Sequence, residues 1–187
     1  MGKAHKHRNS KARDPRFLEL LETLLAHGAD TRFSLHSLCT GMWHDHIEIG
    51  LLDRLLEKSD INETDIHGCT ALHYLVKHLD QVETARHLIS RGADVTITNH
   101  DGNTPLHEVM NGSMLRRLDE QRLPDPAQPL DAPRKAREEL IGNLVGAGGD
   151  MDWINWAGKT PRMLLEEGRE RAERNRRERD AAGGGGE

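Results

Sequence analysis

The sequence predicts an all-α solenoid of stacked helix–turn–helix units joined by short β-turn fingers, with one unit interrupted by a Pro-rich insertion. Three observations predict it. Aromatic residues make up only 3% of the 187 residues and hydrophobic residues 35%. A core must therefore come mainly from Leu, Ile, Val and Ala, which suits helices better than strands rich in Tyr, Phe and Trp. The heptapeptide His67-Gly68-Cys69-Thr70-Ala71-Leu72-His73 recurs 34 residues later as Asp101-Gly102-Asn103-Thr104-Pro105-Leu106-His107. A third copy, Ala157-Gly158-Lys159-Thr160-Pro161-Arg162-Met163, follows 56 residues after the second. A further landmark keeps step, since Asp60, Asp94 and Asp150 each lie eight residues before the glycine of a copy.

Residues 1–14 open the chain as a basic leader, which is expected to be disordered. Residues 1–16 carry six Lys/Arg against Asp14, a net charge of +5, and could serve as a nuclear address or a nucleic-acid hook. Asp14-Pro15 can start a helix through Leu18, Leu21, Leu24 and Leu25 that stops at Gly28, the outer helix of a partial first unit. Ser34 to Leu38 then reads as an inner helix, with His36 in the place that His73 takes later. Gly41 to His46 is an enlarged inter-helix loop. Ile47, Leu51, Leu52, Leu55 and Leu56 mark the next outer helix.

In the second unit Thr70 is an N-cap, and His73 falls three residues on, where its imidazole can bond back to the cap. Leu72, Leu75 and Val76 give one apolar stripe; Val82, Ala85, Leu88 and Ile89 give the second helix, and Gly92 stops it. Thr104 and Thr160 repeat the cap. Pro105 and Pro161 take the first helical position, where a missing N–H costs nothing. In the third unit the run from Leu123 through Pro124, Pro126 and Pro129 to Pro133 cannot continue a helix. It accounts for the 22 extra residues and defines an insertion at about 113–134, after which the outer helix resumes near Arg137. From Gly168 to Asp180 the only apolar residue is Ala172. Residues 169–187 therefore read as a charged, Gly-rich tail, either a solvated helix or disordered.

This pattern resembles the ankyrin repeat, on Thr104-Pro105-Leu106-His107, on the near match Thr70-Ala71-Leu72-His73, and on Gly92-Ala93-Asp94 with its earlier counterpart Gly28-Ala29-Asp30. The resemblance covers residues 15–168, about three to four complete or partial repeats. It implies a protein-interaction scaffold. In similar proteins the contacts come from the turn tips, from the residue before the capping Thr and from the solvent side of the inner helix. Here those positions are Ile66, His67, Ile97, His100, Trp153 and Trp156 at the tips, Cys69, Asn103 and Lys159 before the Thr, and Lys77, His78 and Asn111 on the inner helices. Two of the three tryptophans thus stand on one projecting turn. Asn62 falls where similar repeats can carry a hydroxylatable Asn.

Enzyme chemistry is not expected, because no phosphate loop, nucleophile elbow, zincin helix or kinase signature is present. No cofactor and no small-molecule substrate is assigned. His36, Cys39, His44 and His46 are of types that suit zinc. A small metal-binding or regulatory domain on the His36–His46 loop is the alternative to a pure scaffold. Net charge is −5 overall. The tail from Glu166 carries six Arg against seven acids, which leaves −9 between the two ends. Such an acidic body disfavours nucleic acid as the main partner. There is no apolar run of the ~18–20 residues that a membrane span needs and no secretory signal pattern. With only two cysteines, Cys39 and Cys69, expected to be reduced, the expectation is a monomeric cytoplasmic or nuclear protein that binds another protein.

Overall fold

A computed structural model describes residues 34–40, 47, 49–113 and 131–183, together with Glu19, Thr23, Ala26 and His27. The basic leader, most of the expected first outer helix, the Gly41–His46 loop and residues 114–130 of the insertion lie outside the described residues. Among those described there are seven helices and no strand: α1 (Ser34–Thr40), α2 (Ile49–Leu56), α3 (Ala71–Leu75), α4 (Val82–Ser90), α5 (Pro105–Met110), α6 (Ala132–Gly146) and α7 (Pro161–Gly183).

The short helices α1, α3, α5 and the start of α7 stack on one another as an inner layer, and α4 packs on α6 in an outer layer. Helices α1, α3 and α5 also pack on α2, α4 and α6, the outer helices of their own units. This is the two-layer arrangement of a solenoid, in which every unit buries its face only against its neighbours. Spacing of three and four places Leu72, Leu75 and Val76 of the second unit on this seam, where all three are buried. Ala85 and Leu88 of α4 and Leu140 and Leu144 of α6 meet them from the outer layer. Burying one such Leu contributes about 1.5–3 kcal/mol.

Two expectations are corrected here. The outer helix of the third unit begins at Ala132 instead of near Arg137, and Pro133 lies within its first turn. No intrahelical bond is needed from an N–H there, so proline is tolerated. Helix α3 is also shorter than its apolar stripe and ends at Leu75. The segment after it pairs with the chain just beyond the next inner helix: Ser113 N–H donates to Lys77 O at 2.9 Å, and Leu79 N–H donates to Ser113 O at 3.0 Å. Arg137 secures the same junction by donating to the carbonyls of Val109 at 3.3 Å and Gly112 at 2.8 Å. It thereby caps the C-terminus of α5 across the insertion. Of the two readings of the charged tail, the helix is the one observed: α7 runs through Gly168 without a break.

Candidate partner-binding surface

Each finger is closed by a side chain three residues before its glycine. Asp65 Oδ1 accepts from the amides of His67 (2.8 Å) and Cys69 (2.9 Å). Asn99 Oδ1 accepts from Asp101 and Asn103, both at 3.0 Å, and Asn155 Oδ1 from Ala157 (3.1 Å) and Lys159 (2.9 Å). The glycine that follows takes positive φ in all three fingers, +73° to +74° at Gly68 and Gly102. Asp or Asn at this position, paired with Gly three residues later, is an Asx turn with a left-handed residue after it. The same spacing of Asx and Gly is visible in the sequence at 65/68, 99/102 and 155/158.

The capping threonines take extended backbone, with φ −84° and ψ 167° at Thr70 and nearly the same at Thr104. His73 Nδ1 accepts the Thr70 amide at 3.1 Å and the Thr70 hydroxyl at 2.8 Å. The proton therefore sits on Nε2, which donates to Asn103 O at 3.1 Å in the next finger. His107 repeats the set with Thr104 and reaches Lys159 O at 3.2 Å. His36 Nε2 donates to Cys69 O at 2.9 Å. Three histidines thus tie each unit to the carbonyl before the next capping Thr. Burial holds His73 and His107 below the usual histidine pKa, in the neutral form these bonds require. At the fourth unit Thr160 Oγ1 accepts from Met163 N–H at 3.1 Å and Pro161 is buried, but the histidine place is taken by Met163.

The expected contact positions divide into two groups. Ile66, His67, His100, Asn111, Trp153 and Trp156 are exposed, with Ile66 at 80% and Trp156 at 77%. Ile97 is half-buried. Lys77, Asn103 and Lys159 are engaged by other side chains of the chain. Lys77 pairs with the buried Glu108 at 2.9 Å and lies 5.5 Å over the Tyr74 ring. Asn103 donates to Glu108 Oε1 at 3.2 Å and accepts from Asn155 at 2.7 Å. Lys159 pairs with Glu167. Two expectations fail on geometry. Cys69 is 5% exposed, its thiol accepts from Asn99 Nδ2 at 3.6 Å, and burial pushes its pKa up, so it is buried in the stack where the resemblance implies an open position. Lys77 and His78 lie in the turn after α3 and not on an inner helix.

Tyr74 extends this polar seam by donating to Asp65 Oδ2 at 2.5 Å. Burial would raise the Asp65 carboxyl, but the bonds from Tyr74, His67 and Cys69 hold it below the usual range. Asn62 is also tied down: its Oδ1 accepts from Asp94 N–H at 2.8 Å and its Nδ2 donates to Gly92 O at 3.4 Å. Of the residues proposed for zinc, His44 and His46 lie outside the described residues, and His36 Nε2 is committed to Cys69 O. Burial pushes the Cys39 thiol up to about 12. Residues that the sequence pattern does not single out include Glu108, a buried acid within α5, and Ile154, 62% exposed beside Trp153. Among the described residues, no helix is long and apolar enough to cross a membrane.

Comparison with known proteins agrees with this geometry. The family model described as ankyrin repeats (3 copies) matches over residues 11–99 and again over 43–120. An ankyrin repeat protein of variola virus is 32% identical over 118 residues, covering 58% of this chain and 20% of its own length. An ankyrin repeat domain-containing protein of myxoma virus is 33% identical over 110 residues, covering 54% and 23%. Neurogenic locus notch homolog protein 1 of Mus musculus is 31% identical over 111 residues, covering 53% and 4%. The chain therefore spans a quarter or less of the length of each. The family match, the three Asx-closed fingers and the histidine ladder together show that the chain belongs to the ankyrin repeat family.

Proposed function

We propose that the chain is a non-catalytic protein-interaction module that engages a partner protein through its fingers and concave face. Ankyrin repeats generally mediate protein–protein interaction. The observation that carries the reading here is the third finger, where Trp153, Ile154 and Trp156 are 47%, 62% and 77% exposed on one projecting turn. Large exposed apolar side chains grouped in this way mark interaction sites, and Trp is the residue most enriched at interface hot spots. We place the protein in the cytoplasm or nucleus as a monomer.

The test is capture of a partner from lysate of the source cell by the full chain. The wild type is compared with a Trp153→Ala/Trp156→Ala double variant, once circular dichroism shows equal helix content. A partner held by the first and lost by the second supports the reading. A partner held equally by both removes the third finger as the anchor.

A further inference from the structure

Trp156, His100 and Ile66 occupy the same place in successive fingers, directly after the closing Asx residue. A Cβ built on Gly68 would meet His100 Cδ2 at 2.8 Å, and one on Gly102 would meet Trp156 Cδ2 at 3.0 Å and Cε2 at 3.1 Å. Each ring therefore lies against the glycine of the preceding finger. For Trp156 a backbone bond fixes this seat, since its N–H donates to Asp101 O at 3.0 Å. One face of the indole rests on Gly102, yet the residue is 77% exposed. The result is a rigid aromatic platform with its other face open to solvent.

Asp101, whose carbonyl holds Trp156, is exposed, and its carboxylate makes no hydrogen bond or ion pair with a described residue. The basic groups nearby are already neutralised: Lys159 by Glu167, and Arg162 by Asp152 at 2.8 Å and 3.0 Å. On the concave side Lys77 and Asn103 are consumed by Glu108. An aromatic face next to a residue whose carboxylate has no partner among the described residues attracts a cation by the ring quadrupole and by the charge together. Trp153 and Ile154 supply apolar surface next to it for the residues flanking that cation.

From this arrangement we infer that the second and third fingers form a docking site for an extended segment of a partner protein. The segment places a Lys or Arg side chain on the open face of Trp156, with Asp101 as its counter-ion. The inference rests on the interaction-module reading and adds to it the chemistry of the anchor.

The test is selection of a phage-displayed library of random 12-residue peptides on the folded full chain. Calorimetric titration of the consensus peptide then follows on the wild type and on Asp101→Asn, Trp156→Ala and Trp156→Phe. The expected consensus fixes one Lys or Arg. Asp101→Asn should weaken binding about tenfold, Trp156→Ala by more, and Trp156→Phe by about threefold, since the ring is retained. Equal unfolding midpoints for Trp156→Phe and the wild type separate loss of the site from loss of the fold. A neutral or acidic consensus overturns the cation site, as does a cationic one that is unmoved by Trp156→Ala. Either leaves the interaction-module reading standing if lysate capture still finds a partner. No enrichment overturns the cation site, and with no captured partner it overturns both.

Discussion

His107 Nε2 donates to Lys159 O at 3.2 Å across 52 residues of chain, and His73 Nε2 donates to Asn103 O at 3.1 Å across 30. The same bond closes with and without the insertion, so the extra chain leaves the stacking of units unchanged. Longer loops add little closure entropy when the ends are held in place, and Arg137 holds one end of this one.

The histidine ladder gives the first prediction. In His107→Ala the Thr104 amide, its hydroxyl and the Lys159 carbonyl all lose a partner in a buried site, which should cost about 2 kcal/mol. Urea unfolding would show a lower midpoint with an unchanged slope. A midpoint equal to wild type would mean that the ladder carries no stability.

The same histidines set a pH dependence. Burial lowers the pKa of His73 and His107 from the ordinary histidine value of about 6.5 in the folded state. Between that value and the lowered ones the unfolded chain binds more protons than the folded one, so stability rises with pH in this window. Stability should therefore be level above about pH 6.5 and fall as pH drops below it. Thermal unfolding from pH 8 to 5 would show this, and His73→Gln should flatten the slope. A second decline below about pH 4 belongs to Asp65, Asp94 and Asp152, whose carboxyls are held low by hydrogen bonds and must be protonated there.

Much of this was legible in the chain because repetition turns weak signals into strong ones. Thr70, His73, Thr104 and His107 were read as cap and return bond from spacing alone, and both boxes are present. What spacing could not supply was the far end of each bond. Nothing local in His73 points to Asn103, because that contact depends on how closely units stack. The position of Cys69 failed for a related reason. Its place before the capping Thr faces the groove in general, but here Asn99 from the next finger closes over the thiol. The start of α6 is not legible from Pro133 itself, because two residues earlier or later in a helix decide whether proline stops it or begins it.

Two glycines should respond in opposite senses. Gly142 lies within α6 with nothing within 4 Å of an added Cβ. Gly142→Ala should stabilise by about 0.5–1 kcal/mol through helix propensity alone. Gly102 has φ +74°, and an added Cβ would sit 3.0 Å from both the backbone N and the indole of Trp156. Gly102→Ala should destabilise by about 1–3 kcal/mol from the left-handed backbone and the contact. Differential scanning calorimetry on the two variants separates them by the sign of the shift in Tm. A stabilised Gly102→Ala would mean that the second finger does not hold the conformation described.

The buried carboxylate of Glu108 gives the last prediction. It is 6% exposed and receives Lys77 at 2.9 Å, Asn99 at 3.1 Å and Asn103 at 3.2 Å. Its removal leaves the buried Asn99 amide without an acceptor other than the Cys69 thiol, a weak one. Lys77 can hydrate, because its side chain is 39% exposed. Glu108→Ala should therefore cost about 2–3 kcal/mol and Lys77→Met less, about 1 kcal/mol. Glu108→Gln keeps an oxygen for the asparagines and loses only the charge, so it should fall between wild type and Glu108→Ala. A double-mutant cycle on Lys77→Met and Glu108→Gln measures the pair directly. If Glu108→Ala unfolds at the wild-type urea midpoint, the seam that joins the second and third units is held by the histidine ladder and the apolar stack alone.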